Sequence, residues 1–250
     1  MEQADFLRAL EQAAARSRSG IGTLGEKSVH AVLKAAYEPH SENQEVPVGG
    51  YVADIVGEDG IMEVQTRALW RLKEKLAAFL DVCSVTVVHP VYAVEWICRT
   101  DPDTGEVIRR KSPRRGRPSD VLAELYALRE FLENPRFHLR VVELETERYD
   151  IGRARGRKRR LDRVPLAFLG EWLLDCPESY RRLLPEKLPE TFTAAEFGKQ
   201  IRQRVDDARK ALTVLETLGL AECAGKRERR NLYRLLPEGG RRSDSEEETA

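Results

Sequence analysis

Cysteine is scarce in this chain: four residues in 250, at positions 83, 98, 176 and 223, with no C-x-x-C pair and no histidine at zinc-ligand spacing. That excludes a zinc knuckle and a disulfide framework and leaves the thiols as small apolar side chains. No apolar run is long enough to span a bilayer, which excludes a transmembrane helix. The N-terminus, Met1-Glu-Gln-Ala-Asp-Phe6, is acidic and lacks the basic and then apolar plan of a secretory signal, so the expected location is cytoplasmic. Net charge is missing as well: 42 basic residues balance 42 acidic ones, and no global field draws the protein to a polyanion. What is present is a composition of 41% hydrophobic and 34% charged residues, that of a globular protein long enough for a main domain and a smaller second one. The charge is unevenly spread. Basic residues gather at Arg109–Arg117, Arg153–Arg163 and Lys226–Arg230, and such local patches dock nucleic acid even on a neutral whole.

Periodicity supplies the order of elements. Phe6, Leu7, Leu10 and Ala14 mark an amphipathic helix from Ala4 to about Arg16. Thr23-Leu-Gly-Glu26 reads as a capping box that opens a second helix through Tyr37, with Glu26, His30, Leu33 and Tyr37 along one stripe. Three short strands follow as a meander (44–48, 51–56, 61–65), then a helix over 67–80 and a β-branched strand over 84–88. Segments 92–98 and 106–110 flank Asp-Pro-Asp-Thr-Gly as a hairpin, 119–133 is helical, and 137–145 is a further strand. Residues 1–150 are therefore expected to form a mixed α/β domain. The Gly- and Arg-rich stretch 151–163 reads as a linker. Beyond it, short helices at 165–174 and 178–184 precede a Thr193/Glu196 capping box, helices to Arg202 and from Val205 to Leu218, a Gly219 stop, and two strands joined by Gly225–Arg230. The tail 237–250 is expected to be disordered.

The most informative segment is Tyr51-Val-Ala-Asp54-Ile-Val-Gly57-Glu-Asp-Gly60-Ile-Met-Glu63-Val-Gln65. A symmetric Gly-Glu-Asp-Gly turn pairs Val56 with Ile61 and sets Asp54 directly opposite Glu63. Like charges so placed, with Cβ atoms roughly 4.5–5.5 Å apart, destabilise a sheet unless a cation lies between them. Apolar residues on both faces of these strands point to burial, where an ionised carboxylate needs a partner or a metal. Hard oxygen donors suit Mg²⁺ or Mn²⁺. An ordinary hairpin with one wet face is the competing account, and the capping box alone explains Glu26. His30 reads as a helix-surface or packed histidine, and His40, His89 and His138 have no partner visible in sequence.

Glu26 on an early helix, Asp54 on one strand and Glu63-Val64-Gln65 on the next, followed by a helix and a strand, resemble the PD-(D/E)xK nuclease superfamily over about Thr23 to Val88. The resemblance implies a restriction-endonuclease-like α-β-β-β-α-β core. It further implies that Asp54, Glu63 and the Val64 carbonyl bind the metal, with Glu26 assisting. Gln65 stands where that superfamily usually has lysine; an amide orients water but carries no charge. Lys73 and Lys75 on the following helix are candidates for a relocated base.

In the C-terminal part (164–236) the order of helices, Gly stop and basic hairpin is the plan of a winged helix-turn-helix. Its second helix would enter the major groove of duplex DNA with Gln203, Arg204, Asp207, Arg209 and Lys210 near the leading end, while Lys226, Arg227, Arg229 and Arg230 clamp phosphates. The expected function is a metal-dependent DNA endonuclease delivered to double-stranded DNA by this small α+β domain, with a homodimer compatible with the plan. The rivals are a non-catalytic DNA-binding regulator on a degenerate nuclease fold, an RNA-directed nuclease, and an assembly protein whose winged domain binds partners. Roles in restriction, defence or repair follow by analogy alone.

Overall fold

The computed structural model describes residues 1–18, 28–153 and 159–238. Glu26, part of the basic stretch at 154–158 and nearly all of the 237–250 tail lie outside the described residues. The protein is mixed α/β, with a large mixed sheet and several helices. It divides into two compact units: Met1–Pro118 with Arg136–Leu174, and Ser119–Pro135 with Asp175–Ala250. No described helix is long and apolar enough to cross a membrane.

In the first unit, α1 (Gln3–Arg18) and α2 (Ser28–Tyr37) are followed by the meander β1 (Gln44–Val48), β2 (Tyr51–Gly57) and β3 (Gly60–Val64). A 3-10 turn at Leu69–Leu72 leads into α3 (Lys73–Leu80), and β4 (Val85–Thr100) returns parallel to β3. β5 (Val107–Lys111), β6 (Phe137–Ile151) and β7 (Arg159–Leu174) complete a sheet of order β1-β2-β3-β4-β6-β7, with β5 on the distal half of β4. Phe6 and Ala9 of α1 and Val29, Val32, Leu33 and Ala36 of α2 pack on one sheet face against Val64, Val88, Val142 and Leu144. Each large apolar side chain buried there stabilises the fold by about 1.5–3 kcal/mol. α3 buries Leu76, Phe79 and Leu80, and the Tyr51 ring meets Phe79 edge-on at 6.1 Å.

The β2–β3 turn has the expected register: Gly57 pairs with Gly60, Val56 with Ile61 and Ile55 with Met62. Gly60 is obligatory, because its φ is +115° and a Cβ would sit 2.2 Å from the Ser84 carbonyl oxygen. The expected strand 84–88 and the first arm of the second hairpin turn out to be one strand, β4. Pro90 is accommodated within it because it falls in the gap between the β3 and β5 pairings.

The segment expected as a linker behaves differently. Ile151 ends β6, and Arg159–Arg163 open β7, which pairs with β6 through Leu174. Residues 165–174, expected as a short helix, are therefore strand. β7 is the last strand of the order at the sheet margin, where charges and proline are tolerated, so its Arg-rich start imitates linker composition.

The second unit is discontinuous. α4 (Val121–Leu125) continues as 3-10 helix over Tyr126–Phe131 and buries Val121, Leu122, Leu125 and Leu128. It packs against α6 (Val205–Thr217), which also holds α5 (Ala194–Ile201). Thr193 and Glu196 form the expected capping box, and Gly219, at φ +67°, follows the end of α6. β8 (Phe192–Thr193), β9 (Ala221–Arg227) and β10 (Arg230–Leu235) form a small sheet of order β8-β10-β9. A 3-10 helix at Pro177–Leu183 stands where 178–184 was expected to be helical.

Candidate active site

The hairpin register brings the two acids together. Oε1 of Glu63 accepts the backbone N–H of Asp54 at 3.2 Å, and Oδ2 of Asp54 accepts the backbone N–H of Val64 at 2.8 Å. Two like charges are thus tied to each other's strands, and cationic or polar groups offset the repulsion. From α3, the Lys75 ammonium donates to Oε2 of Glu63 at 2.6 Å. From α2, Nε2 of His30 lies 3.2 Å from Oδ2 of Asp54. Oδ1 of Asp54 has no hydrogen-bond partner among the described residues.

The environments separate the two carboxyls. Glu63 is only 2% exposed, and this burial, with the Asp54 charge beside it, raises its pKa to about 7 against the pull of Lys75. For Asp54, burial pushes upward, but the His30 hydrogen bond and charge, the Val64 N–H and Lys75 outweigh it and hold the pKa below the usual carboxylate value. One acid is therefore ionised while its neighbour titrates near neutrality.

Gln65 does not join the pair. Its amide nitrogen donates to the carbonyls of Arg67 at 2.5 Å and Ala68 at 3.3 Å, bracing the loop in which Ala68 takes a left-handed φ of +55°. Its backbone oxygen lies 2.7 Å from Nδ1 of the buried His89. Lys73 is exposed on α3, whereas Lys75, two residues on, reaches the site. His30 is the contributor that sequence reasoning set aside; its signal was the stripe shared with Glu26, Leu33 and Tyr37. Among the described residues no group of three or more His, Cys, Asp or Glu is arranged to hold a metal ion.

The second unit distributes its predicted nucleic-acid residues unevenly. Gln203 is turned to Asp120, with Nε2 donating to Oδ1 at 2.7 Å. At the start of α6, Arg209 pairs with Asp206 at 2.8 Å and Lys210 with Asp207 at 3.5 Å, so that turn is locally neutral. Arg204 precedes it, exposed. On the β9–β10 hairpin Arg227 pairs with Glu196 at 3.1 Å, while Lys226, Arg229 and Arg230 are exposed.

Residues 27–171 match the model of the family described as a domain of unknown function, DUF8091. The chain belongs to that family. The match runs from just before α2 into β7, so the DUF8091 region contains Asp54, Glu63 and Lys75 and also the 119–135 segment given to the second unit. A relative from Treponema pallidum (strain Nichols), described as an uncharacterized protein, is 34% identical over 232 residues, covering 89% of this chain and 90% of its own. The likeness therefore extends past the DUF8091 region into the second unit. No solved structure matches the chain significantly.

Proposed function

We propose that the first unit is a metal-dependent phosphodiester hydrolase of the PD-(D/E)xK kind, acting on duplex DNA, with Asp54 and Glu63 as its acids and Lys75 as the relocated lysine. The observation that carries this reading is the convergence of two strand-borne carboxylates with an ammonium from the following helix, 2.6 Å from Glu63. The order α2-β1-β2-β3-α3-β4 agrees with the expected restriction-endonuclease-like core. The donor chemistry suits a hard cation: Mg²⁺ is commonly held by one or two carboxylates and keeps several waters, so two oxygen donors suffice. Asp54, whose Oδ1 has no partner among the described residues, and Glu63 would hold it, joined by the Val64 carbonyl. Mg²⁺ or Mn²⁺ supplies activation of water and charge stabilisation at the phosphate.

The chain's own groups have separate tasks. His30 orients Asp54 and favours its ionised form. Lys75 provides the positive charge that Gln65 lacks and, in reach of Glu63, positions water and stabilises developing negative charge. Gln65 holds the loop into α3 and so sets where Lys75 stands. The second unit is read as a winged helix whose hairpin residues Lys226, Arg229 and Arg230 contact phosphates, with Arg204 beside them in role. The pairing of Arg209 and Lys210 with aspartates favours backbone contact over base reading by α6.

Purified protein is incubated with supercoiled plasmid and with short RNA in Mg²⁺ or Mn²⁺, beside Asp54→Ala and Lys75→Met. The expected outcome is metal-dependent nicking of the plasmid that falls by roughly 100-fold or more in each variant. Cutting that survives Asp54→Ala refutes the assignment. Binding without cutting supports a DNA-binding regulator on the same fold.

A further inference from the structure

The distal half of the long strands carries a second constellation. Val142 and Leu144 of β6 lie beneath α1 and α2; further along the same face come Thr146, Arg148 and Asp150. Register places Glu95 and Arg99 of β4 opposite Thr146 and Asp150, and Arg163 and Arg160 of β7 opposite Arg148 and Asp150. Among the described residues this register gathers four arginines, with the carboxylates of Glu95 and Asp150, on one face. Glu95, 7% exposed, fixes two of them: Arg148 donates to its Oε2 at 2.9 Å and Arg163 to its Oε1 at 2.6 Å. Asp150 accepts a forked contact from Arg148, and the Arg163 guanidinium lies over the Tyr92 ring at 3.6 Å.

Arranged this way, the carboxylates position guanidinium groups without neutralising all of them. Arg160 is exposed and has no ion pair among the described residues. Partial burial and then the neighbouring Arg163 and Arg148 pull its pKa below the usual arginine value, so like charges are held close together. Among the described residues three buried polar atoms in this region lack partners: Nε of Arg99, the hydroxyl of the fully buried Thr146, and Oδ1 of Asp162, whose other oxygen accepts from the Ser28 hydroxyl of α2. Rigid forked donors, an excess of positive charge and an orphaned buried N–H together describe a site whose missing acceptor is a tetrahedral oxyanion.

We propose that Arg99, Arg148, Arg160 and Arg163 form a phosphate-binding surface, separate from the Asp54–Glu63 site, that takes the backbone of a nucleic acid. Val87, opposite Glu63, and Glu95 are eight residues apart on β4, roughly 25 Å along an extended strand. One phosphate cannot touch both places, and the excess of guanidinium groups suits a polyanion. The inference rests on the hydrolase reading only for the choice of nucleic acid as ligand.

The test uses the full chain in EDTA, so that binding is measured without cutting. Lys226→Ala/Arg229→Ala/Arg230→Ala serves as the parent background and removes the hairpin's phosphate contacts. Affinity for a fluorescent 25-base-pair duplex is followed by anisotropy across a salt series. Arg160→Glu is expected to weaken binding roughly fivefold or more and to lower the slope of log affinity against log salt by about 1, and Arg160→Lys to restore most of both. Because Arg160 is exposed, an unchanged thermal midpoint confirms folding. Equal affinity and slope in parent and Arg160→Glu overturn the inference, as does a parent that does not bind the duplex. Calorimetric binding of inorganic pyrophosphate that Arg160→Glu abolishes, with duplex binding unaffected, also overturns it by assigning the site to a small anion. Loss of cutting in Asp54→Ala bears on the hydrolase alone, and duplex binding sensitive to Arg160 survives it.

Discussion

At the residue scale the decisive pair is Glu63 and Lys75. A buried carboxyl whose folded-state pKa is about 7, against an ordinary value of 4.5, binds its proton more tightly folded than unfolded. Its stabilising contribution is complete below about pH 4.5 and is lost as pH rises through 7. The loss amounts to about 3 kcal/mol. Without divalent metal, urea unfolding at pH 5 and pH 8 is expected to show this decline, and Glu63→Gln to flatten it; a variant with the same pH dependence as the parent contradicts the assignment. The sequence was sufficient to pair Asp54 with Glu63, because a two-sided glycine turn leaves one register. It did not separate Lys75 from Lys73 or show that Gln65 braces a loop, since helix phase and a left-handed Ala68 are properties of the folded backbone.

At the element scale the β2–β3 hairpin depends on its turn. A side chain at Gly60 meets both a positive φ and the Ser84 carbonyl. Gly60→Ala is therefore expected to cost about 3 kcal/mol or more, measured by urea unfolding, and to disturb the Asp54–Glu63 geometry with it. Helices with capping boxes and strands with clean turns were readable from local chemistry, as the Thr193/Glu196 cap shows. β7 was not. Its Arg159–Arg163 start is polar because it lies at the margin of a sheet, and its apolar residues 164–174 have spacings that suit a short helix equally well. Only the pairing with β6, made between segments distant in sequence, decides between them.

At the scale of the whole molecule the division into units changes how the chain can be cut. Removing everything after residue 163 also removes most of β7, so that fragment is expected to aggregate on size exclusion. Ending the chain after Leu174 keeps the sheet but leaves Val121, Leu122, Leu125 and Leu128 without α6. Replacing 119–135 by a short polar linker in that shortened chain is expected to restore a monodisperse first unit; continued aggregation would show that the first unit needs the second. No local feature of 119–135 announced its allegiance, because a helical apolar stripe records that it is buried and not by what.

The same interrupted topology sets a schedule for synthesis. The apolar stripe of α4 leaves the ribosome about 80 residues before the start of α6, the helix that finally covers it. At ~5–20 residues per second that is roughly 4–16 s of nascent chain with a greasy surface in search of shelter, time enough for a holdase to engage it.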